Sequence, residues 1–228
     1  MAFIELNNVE KKIKNSYVLK NINLKIEKGK VYGFIGHNGS GKTMLFRAIC
    51  NFINITSGEI RINDVLIKSN TEYPIRLGAM IEYPGFIESY SGYKNLKYLS
   101  EINNIINDEE INKVLREVGL YEKKDEMVKR YSLGMKQKLG IAQAIMENPD
   151  LIIFDEPINA LDDNSVKIFR DIITSLKNDN KTILIASHNM EKLKNLFDYV
   201  VEMSNGEVIR VKEGEIKWIK YQRYLWFS

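Results

Sequence analysis

Val31-Tyr32-Gly33-Phe34-Ile35-Gly36-His37-Asn38-Gly39-Ser40-Gly41-Lys42-Thr43 is the stretch on which the fold turns. Its first five residues read as a short apolar strand. The apolar positions Leu45, Phe46, Ala48 and Ile49 that follow read as a helix from about Thr43. Between them, Gly36 to Thr43 matches G-x-x-x-x-G-K-[ST]. In that pattern glycines let backbone N–H groups close round phosphates, the lysine meets the β- and γ-oxygens, and the hydroxyl ligates Mg²⁺. Strand before and helix after put a helix N-terminus at the anion. His37 reads as a tolerated loop residue rather than a catalyst.

Upstream the chain is strand-rich, with alternation at Phe3 to Asn7 and at Ile22 to Glu27, and a turn at Lys28-Gly29-Lys30. Downstream a hairpin is expected around Gly58 to Asn63. From Tyr90 to Asn148 the period becomes helical: Tyr93, Leu96, Leu99 and Ile102 recur, as do Ile111, Val114, Leu115 and Val118. After Pro149 strands and helices alternate again. Leu151 to Phe154 and Ile183 to Ala186 are wholly apolar, as buried parallel strands are. Val200 to Met203 and Glu207 to Val211 flank Asn205-Gly206 as a closing hairpin. The pattern predicts a phosphate-loop α/β core with an inserted helical sub-domain.

Leu151-Ile152-Ile153-Phe154-Asp155-Glu156 ends an apolar strand in two carboxylates, followed by Pro157. Ligands of such sheets bind outside the carboxyl ends of the strands. Asp155 there can hold Mg²⁺, mainly through water, and Glu156 can polarise an attacking water as general base.

Composition sets the bounds. The 228 residues are 44% hydrophobic and 28% charged with one cysteine, which suits one globular domain with a sub-domain and excludes an internal disulfide. Cys50 lies in an apolar helical stretch and reads as a small buried hydrophobe. A net charge of +3 is too small to argue for nucleic acid. Lys123, Lys124, Lys129 and Arg130 cluster, but Glu122, Asp125 and Glu126 lie among them, as on a solvated helix face. No apolar run approaches the roughly 18 residues of a membrane span, and Met1 to Glu5 do not open a signal peptide. A cytoplasmic protein is expected, with any membrane span supplied by another chain.

Tyr131-Ser132-Leu133-Gly134-Met135-Lys136-Gln137, opening an apolar helix shortly before the carboxylate strand, resembles the signature sequence of ATP-binding cassette (ABC) ATPases. Ser132 at an N-cap and Gly134 can offer a hydroxyl and bare N–H groups to an anion. The resemblance covers about residues 2 to 212. It implies a P-loop NTPase (RecA-like) α/β core with an antiparallel β sub-domain and an inserted helical sub-domain. The core is expected at 1–87 and 149–212, the helices at 88–148 and an aromatic tail at 213–228. It further implies ATP and Mg²⁺ bound by Gly36, His37, Asn38, Gly39, Ser40, Gly41, Lys42 and Thr43, with Thr43 and Asp155 at the metal. Asn159-Ala160-Leu161-Asp162 looks like the loop that crosses the dimer interface, and His188 like the switch histidine at the γ-phosphate. Two cassettes would sandwich ATP head-to-tail, each nucleotide also meeting the other chain's Ser132 and Gly134, and a transmembrane permease would be the partner.

Two departures stand out. Glu82 occupies the position where most relatives carry a glutamine at the metal and lytic water. A carboxylate can accept from metal-bound water but cannot donate as an amide does, and it adds negative charge near the triphosphate. Leu77 to Phe86, with Ser132 to Met135, is most similar to transporters of lantibiotics and bacitracin-like peptides; neutral drift in another exporter branch is the alternative. Glu82 is accordingly a candidate catalytic and metal residue. Secondly, the aromatic that stacks on adenine is replaced by Ile13, with Tyr17 close enough in sequence to substitute. A soluble ABC ATPase of DNA repair or assembly is the competing function, though only a compact helical segment lies where repair types insert coiled coils. Trp218, Tyr221, Tyr224, Leu225, Trp226 and Phe227 crowd the end of the chain, either packing on the core or docking a partner.

Overall fold

The computed structural model describes residues 2–69, 72–82 and 85–214. Trp218 and the other aromatic residues near the end of the chain lie outside the described residues. Two sheets organise the rest. The first is antiparallel, in the order β2 (Ser16–Ile26), β1 (Ile4–Ile13), β4 (Ser57–Ile62), β5 (Val65–Leu66). The second runs β10 (Glu207–Glu213), β9 (Tyr199–Ser204), β3 (Val31–Ile35), β8 (Thr182–Ala186), β7 (Leu151–Asp155), β6 (Leu77–Met80). Its strands are parallel except β10, which returns antiparallel beside β9.

The wholly apolar strands are buried on both faces because each face has its own core. Ile35, Phe154 and Ile185 point into one cluster, together with Leu96, Leu115, Leu139 and Phe169 of the helices. Phe34, Ile153 and Leu184, one residue out of phase, point into the other, with Leu45, Phe46 and Ile49 and the antiparallel sheet's Leu6, Leu24 and Ile60. Period-two alternation thus serves two apolar layers instead of a wet and a dry side.

Helix α1 (Lys42–Ile49) follows β3. Helices α2 (Gly92–Asn103), α3 (Asp108–Glu117) and α4 (Leu133–Ile145) separate β6 from β7, and α5 (Asp163–Asn178) lies between β7 and β8. Their starts follow capping chemistry. Asn107 and Glu110 form a reciprocal capping box on α3, and Ser91, Ser132 and Asp162 accept from the first turns of α2, α4 and α5. Strand β6 runs so close under α4 that a Cβ on Gly78 would lie 1.8 Å from the Ala144 carbonyl oxygen.

Local details differ from the sequence reading. Helix α1 begins at Lys42, and β10 extends to Glu213, where it pairs with Tyr199. The basic cluster is not on a helix face: Tyr121–Lys123 and Val128–Arg130 are single 3₁₀ turns, and Lys123 and Lys124 pair with Glu126 and Asp125. Ile102, in phase with Leu96, is 70% exposed in the last turn of α2. Among the described residues no helix is long and apolar enough to cross a membrane.

Candidate functional site

Parallel strands deliver their carboxyl ends to one edge of the sheet. In register, Met80 lies opposite Phe154, Asp155 opposite Ala186, and Ala186 opposite Phe34. Just beyond that edge come Glu82 after β6, Asp155 and Glu156 at the end of β7, His188 after β8, and the Gly36–Thr43 loop after β3. Residues separated by more than a hundred positions are assembled there by strand order alone.

The loop is held open by its own backbone. Gly36, Gly39 and Gly41 have φ of 154°, 80° and 105°. A Cβ on Gly36 would stand 2.3 Å from the Met203 carbonyl, whereas one on Gly39 would meet nothing within 4 Å. Gly39 therefore faces the cleft, and the left-handed conformation is the one glycine tolerates. The β9–β10 turn braces the loop through Gly206 N–H donating to the Ser40 carbonyl at 3.0 Å. Lys42 is buried, and its Nζ donates to the carbonyls of Gly36 (2.8 Å) and His37 (3.2 Å) and to Ser40 Oγ (3.4 Å). Burial lowers its pKa, opposed by the charges of Glu156 and Asp155. His37 turns its ring to the Asn38 carbonyl, 2.8 Å from Nδ1, and contributes to the loop through its backbone oxygen.

Thr43 Oγ1 donates to Asp155 Oδ2 at 2.5 Å. Burial raises the Asp155 pKa, the charges of Glu156 and Glu82 add to the rise, and the Thr43 bond and Lys42 oppose it. A buried carboxylate next to a hydroxyl, short of positive charge, is a hard-oxygen pair that suits a small divalent cation. Among the described residues no three His, Cys, Asp or Glu side chains form a metal cage. The pair therefore fits a cation such as Mg²⁺, which keeps phosphate oxygens and waters for its remaining ligands.

Glu156 has a left-handed backbone (φ 54°), and its N–H donates to the Ala186 carbonyl at 2.8 Å. Its carboxylate meets His188 twice, through the backbone N–H at 3.1 Å and ring Nδ1 at 2.9 Å. The Gln137 side chain, buried on α4, donates Nε2 to the Glu156 carbonyl at 2.9 Å. The signature-like helix is thus tied to the carboxylate strand within one chain, a bond the sequence reading did not anticipate. A second tie is steric: a Cβ on Gly134 would stand 2.8 Å from the Ala160 carbonyl oxygen.

Glu82 lines the same cleft of about 680 Å³ as Lys42, Thr43, Asp155 and Glu156, together with Val18, Gln137 and Asn159. Its Oε2 is 2.7 Å from Arg47 Nη2, an ion pair also missed from sequence. Gly36, His37, Gly134 and His188 are not among the cleft's lining residues, and neither are Ser132, Asp162, Ile13 and Tyr17. Ser132 caps α4 through Met135 N–H, and Asp162 caps α5 through Ser165 N–H at 2.8 Å; the Ser165 hydroxyl and then this N–H hold its carboxyl below the usual range. Ile13 and Tyr17 are both 44% exposed near the β1–β2 turn, and Lys12 Nζ lies 5.4 Å from the Tyr17 ring centre. Val18, rather than either of them, reaches the cleft wall.

With this arrangement in view, the known proteins it resembles form one class. The sequence profile described as ABC transporter matches residues 19–159. The chain belongs to the ABC transporter family, as an ATP-binding subunit that hydrolyses ATP to drive transport. YybJ of Bacillus subtilis (strain 168), an ABC transporter ATP-binding protein, is 42% identical over 90% of this chain and 94% of its own length. The bacitracin transport ATP-binding protein BcrA of Enterococcus faecalis is 37% identical over 90% of this chain and 68% of its own. The lantibiotic transport ATP-binding protein SrtF of Streptococcus pyogenes is 35% identical over 92% and 90%. In fold, the dimeric ABC transporter cassette MJ0796 superposes with a TM-score of 0.85 at 23% identity, covering 92% of this chain and 98% of that one. Subunits of this class pair as cassette dimers and act with a membrane permease. The competing reading, a soluble ABC ATPase uncoupled from transport, is not favoured.

Proposed function

We propose that this subunit pairs with a second cassette at the inner face of a membrane and powers a permease that exports a peptide antibiotic. The observation that carries the reading is its similarity, over nine-tenths of its length, to the bacitracin and lantibiotic transport proteins. The carboxylate at Glu82 is in keeping with it.

In the closed pair, the triphosphate of ATP lies along Gly36 to Thr43. Lys42 exchanges its loop carbonyls for phosphate oxygens, and the Gly39 and Gly41 N–H groups face the anion. Thr43 and Asp155 would hold Mg²⁺, with Glu82 as a further oxygen nearby, and the cation would supply charge neutralisation for the phosphates. Glu156 accepts the proton of the attacking water, and His188 fixes that carboxylate and reaches the γ-phosphate. Ser132 and Gly134 present the α4 N-terminus to the ATP of the second cassette, with Asp162 on the interface loop beside it. Tyr17 and Ile13 flank the adenine end.

The test is to purify the chain with the membrane protein that accompanies it and to reconstitute both in lipid vesicles. Stimulation of ATP hydrolysis by a bacitracin-type or lantibiotic peptide, and protection of a sensitive bacterium by the pair, are expected. Stimulation by an unrelated solute, with none by such peptides, would overturn the cargo class.

A further inference from the structure

Arg47 lies on α1 one helical turn beyond Thr43, and residues four apart share a helix face. The same face thus offers a hydroxyl to Asp155 and, about 6 Å along at roughly 1.5 Å per residue, a guanidinium to Glu82. The Arg47 and Glu82 side chains are 34% and 58% exposed. Ion pairs this wet add little net stability, so holding the fold together does not account for it. Its location does.

Glu82, Asp155 and Glu156 put three carboxylates round a cleft whose lining, among the described residues, holds one cation, Lys42. The cleft must admit a polyanion, and each uncompensated negative charge at its wall opposes that. A glutamine at position 82 would remove one charge. This chain keeps the charge and sets a guanidinium against it from outside the lining. Glu82 is also in a left-handed conformation, φ 60°, which fixes where its side chain leaves the backbone.

We infer that Arg47 is a positioning residue for nucleotide binding. It neutralises Glu82 and holds that carboxylate at the cleft wall, which makes a glutamate at this position compatible with a triphosphate in front of Thr43 and Asp155. Arg47 and Glu82 then work as one unit: the arginine matters because the glutamate is there. This rests on the reading that the triphosphate lies along Gly36 to Thr43.

A double-mutant cycle on the full chain tests it, reading the affinity for a non-hydrolysable ATP analogue with Mg²⁺ by fluorescence titration. Arg47→Met is expected to weaken binding roughly tenfold, about 1.4 kcal/mol. Glu82→Gln removes the charge that Arg47 offsets and serves as the reference background, whatever its own shift in affinity. In the Glu82→Gln background, Arg47→Met is expected to cost about twofold or less, which makes the two effects strongly non-additive. Arg47→Lys, which keeps the charge, should recover most of the loss. Melting temperatures of all variants should stay close together, as expected of exposed side chains. An equal loss of affinity from Arg47→Met in both backgrounds, or no loss in either, would overturn the proposal. Lys42→Ala separates the two readings: unchanged affinity in that variant would displace the triphosphate from the loop, whatever the cycle gives.

Discussion

The Glu156 carboxylate accepts from the His188 backbone N–H at 3.1 Å and meets the ring Nδ1 of the same residue at 2.9 Å. One residue thus holds the carboxylate by two routes, one of which survives every substitution except proline. Glu156→Gln is expected to bind ATP, to hydrolyse it at least about a hundredfold more slowly and to accumulate as a dimer. His188→Ala should slow turnover too, with the backbone contact retained. Phosphate release and gel filtration with ATP read both; normal turnover in Glu156→Gln would remove it as the base.

Gln137 gives the same carboxylate segment a third support, from α4, through its bond to the Glu156 carbonyl. Losing a buried donor of this kind costs about 1 kcal/mol, or roughly fivefold in rate. Gln137→Ala is therefore expected to lower kcat several-fold with little change in the KM for ATP. Gln137→Glu should be worse, because an ionised carboxylate cannot donate and would face a carbonyl oxygen. Unchanged turnover in both would mean the tie to α4 is idle.

Gly78 is where β6 passes under α4, and a Cβ there would overlap the Ala144 carbonyl at 1.8 Å. Backbone on both sides leaves nothing flexible to yield. Gly78→Ala should destabilise by about 1–3 kcal/mol or more, a fall of roughly 2–12 °C in Tm. Gly85→Ala, where a Cβ would meet nothing within 4 Å, is the matched control and should melt near the parent. Equal thermal melts for the two would show that α4 can lift off β6 at little cost.

Burial raises the Cys50 thiol from its ordinary 9.0 to about 12. The native thiol stays protonated at pH 8, so a disulfide-exchange reagent should react only after denaturation. The linkage has a definite sign. Unfolding frees a thiol that ionises more readily, so the stabilising contribution is whole below pH 9.0 and is lost between there and about 12. Tyr73 is raised as well, by burial and by its proximity to Cys50. Denaturant midpoints measured from pH 7 upward should be level and then fall above pH 9, less steeply in Cys50→Ala.

What could be read from the sequence was what is contiguous in it. Gly36 to Thr43 carries its chemistry in eight consecutive residues, and the ends of β7 and β8 follow from unbroken apolar runs. Ser132 as an N-cap is equally local, since its hydroxyl serves an N–H three residues on. The residues that support this chemistry were not legible, because their partners are chosen by strand order. Arg47 and Glu82 meet only because β6 ends and α1 begins at the same edge of the sheet. Gln137 was in view as part of the signature-like stretch, yet nothing in one dimension aims its amide at the Glu156 carbonyl. The basic cluster misled for a related reason. Alternating acids and bases look like a helix face, but here they occupy two short turns whose backbone bonds close after three residues.

Lys42 is bonded to its own loop, the one proposed to receive phosphate, its Nζ 2.8 Å from the Gly36 carbonyl. Its ammonium is a placeholder. It keeps the glycine-rich turn wound around a positive charge, so the loop need not find its shape when a nucleotide arrives. On the proposed reading, entry of a phosphate amounts to an exchange of acceptors at one nitrogen. On that reading the entropy of ordering the cradle is met during folding and does not recur with each nucleotide bound.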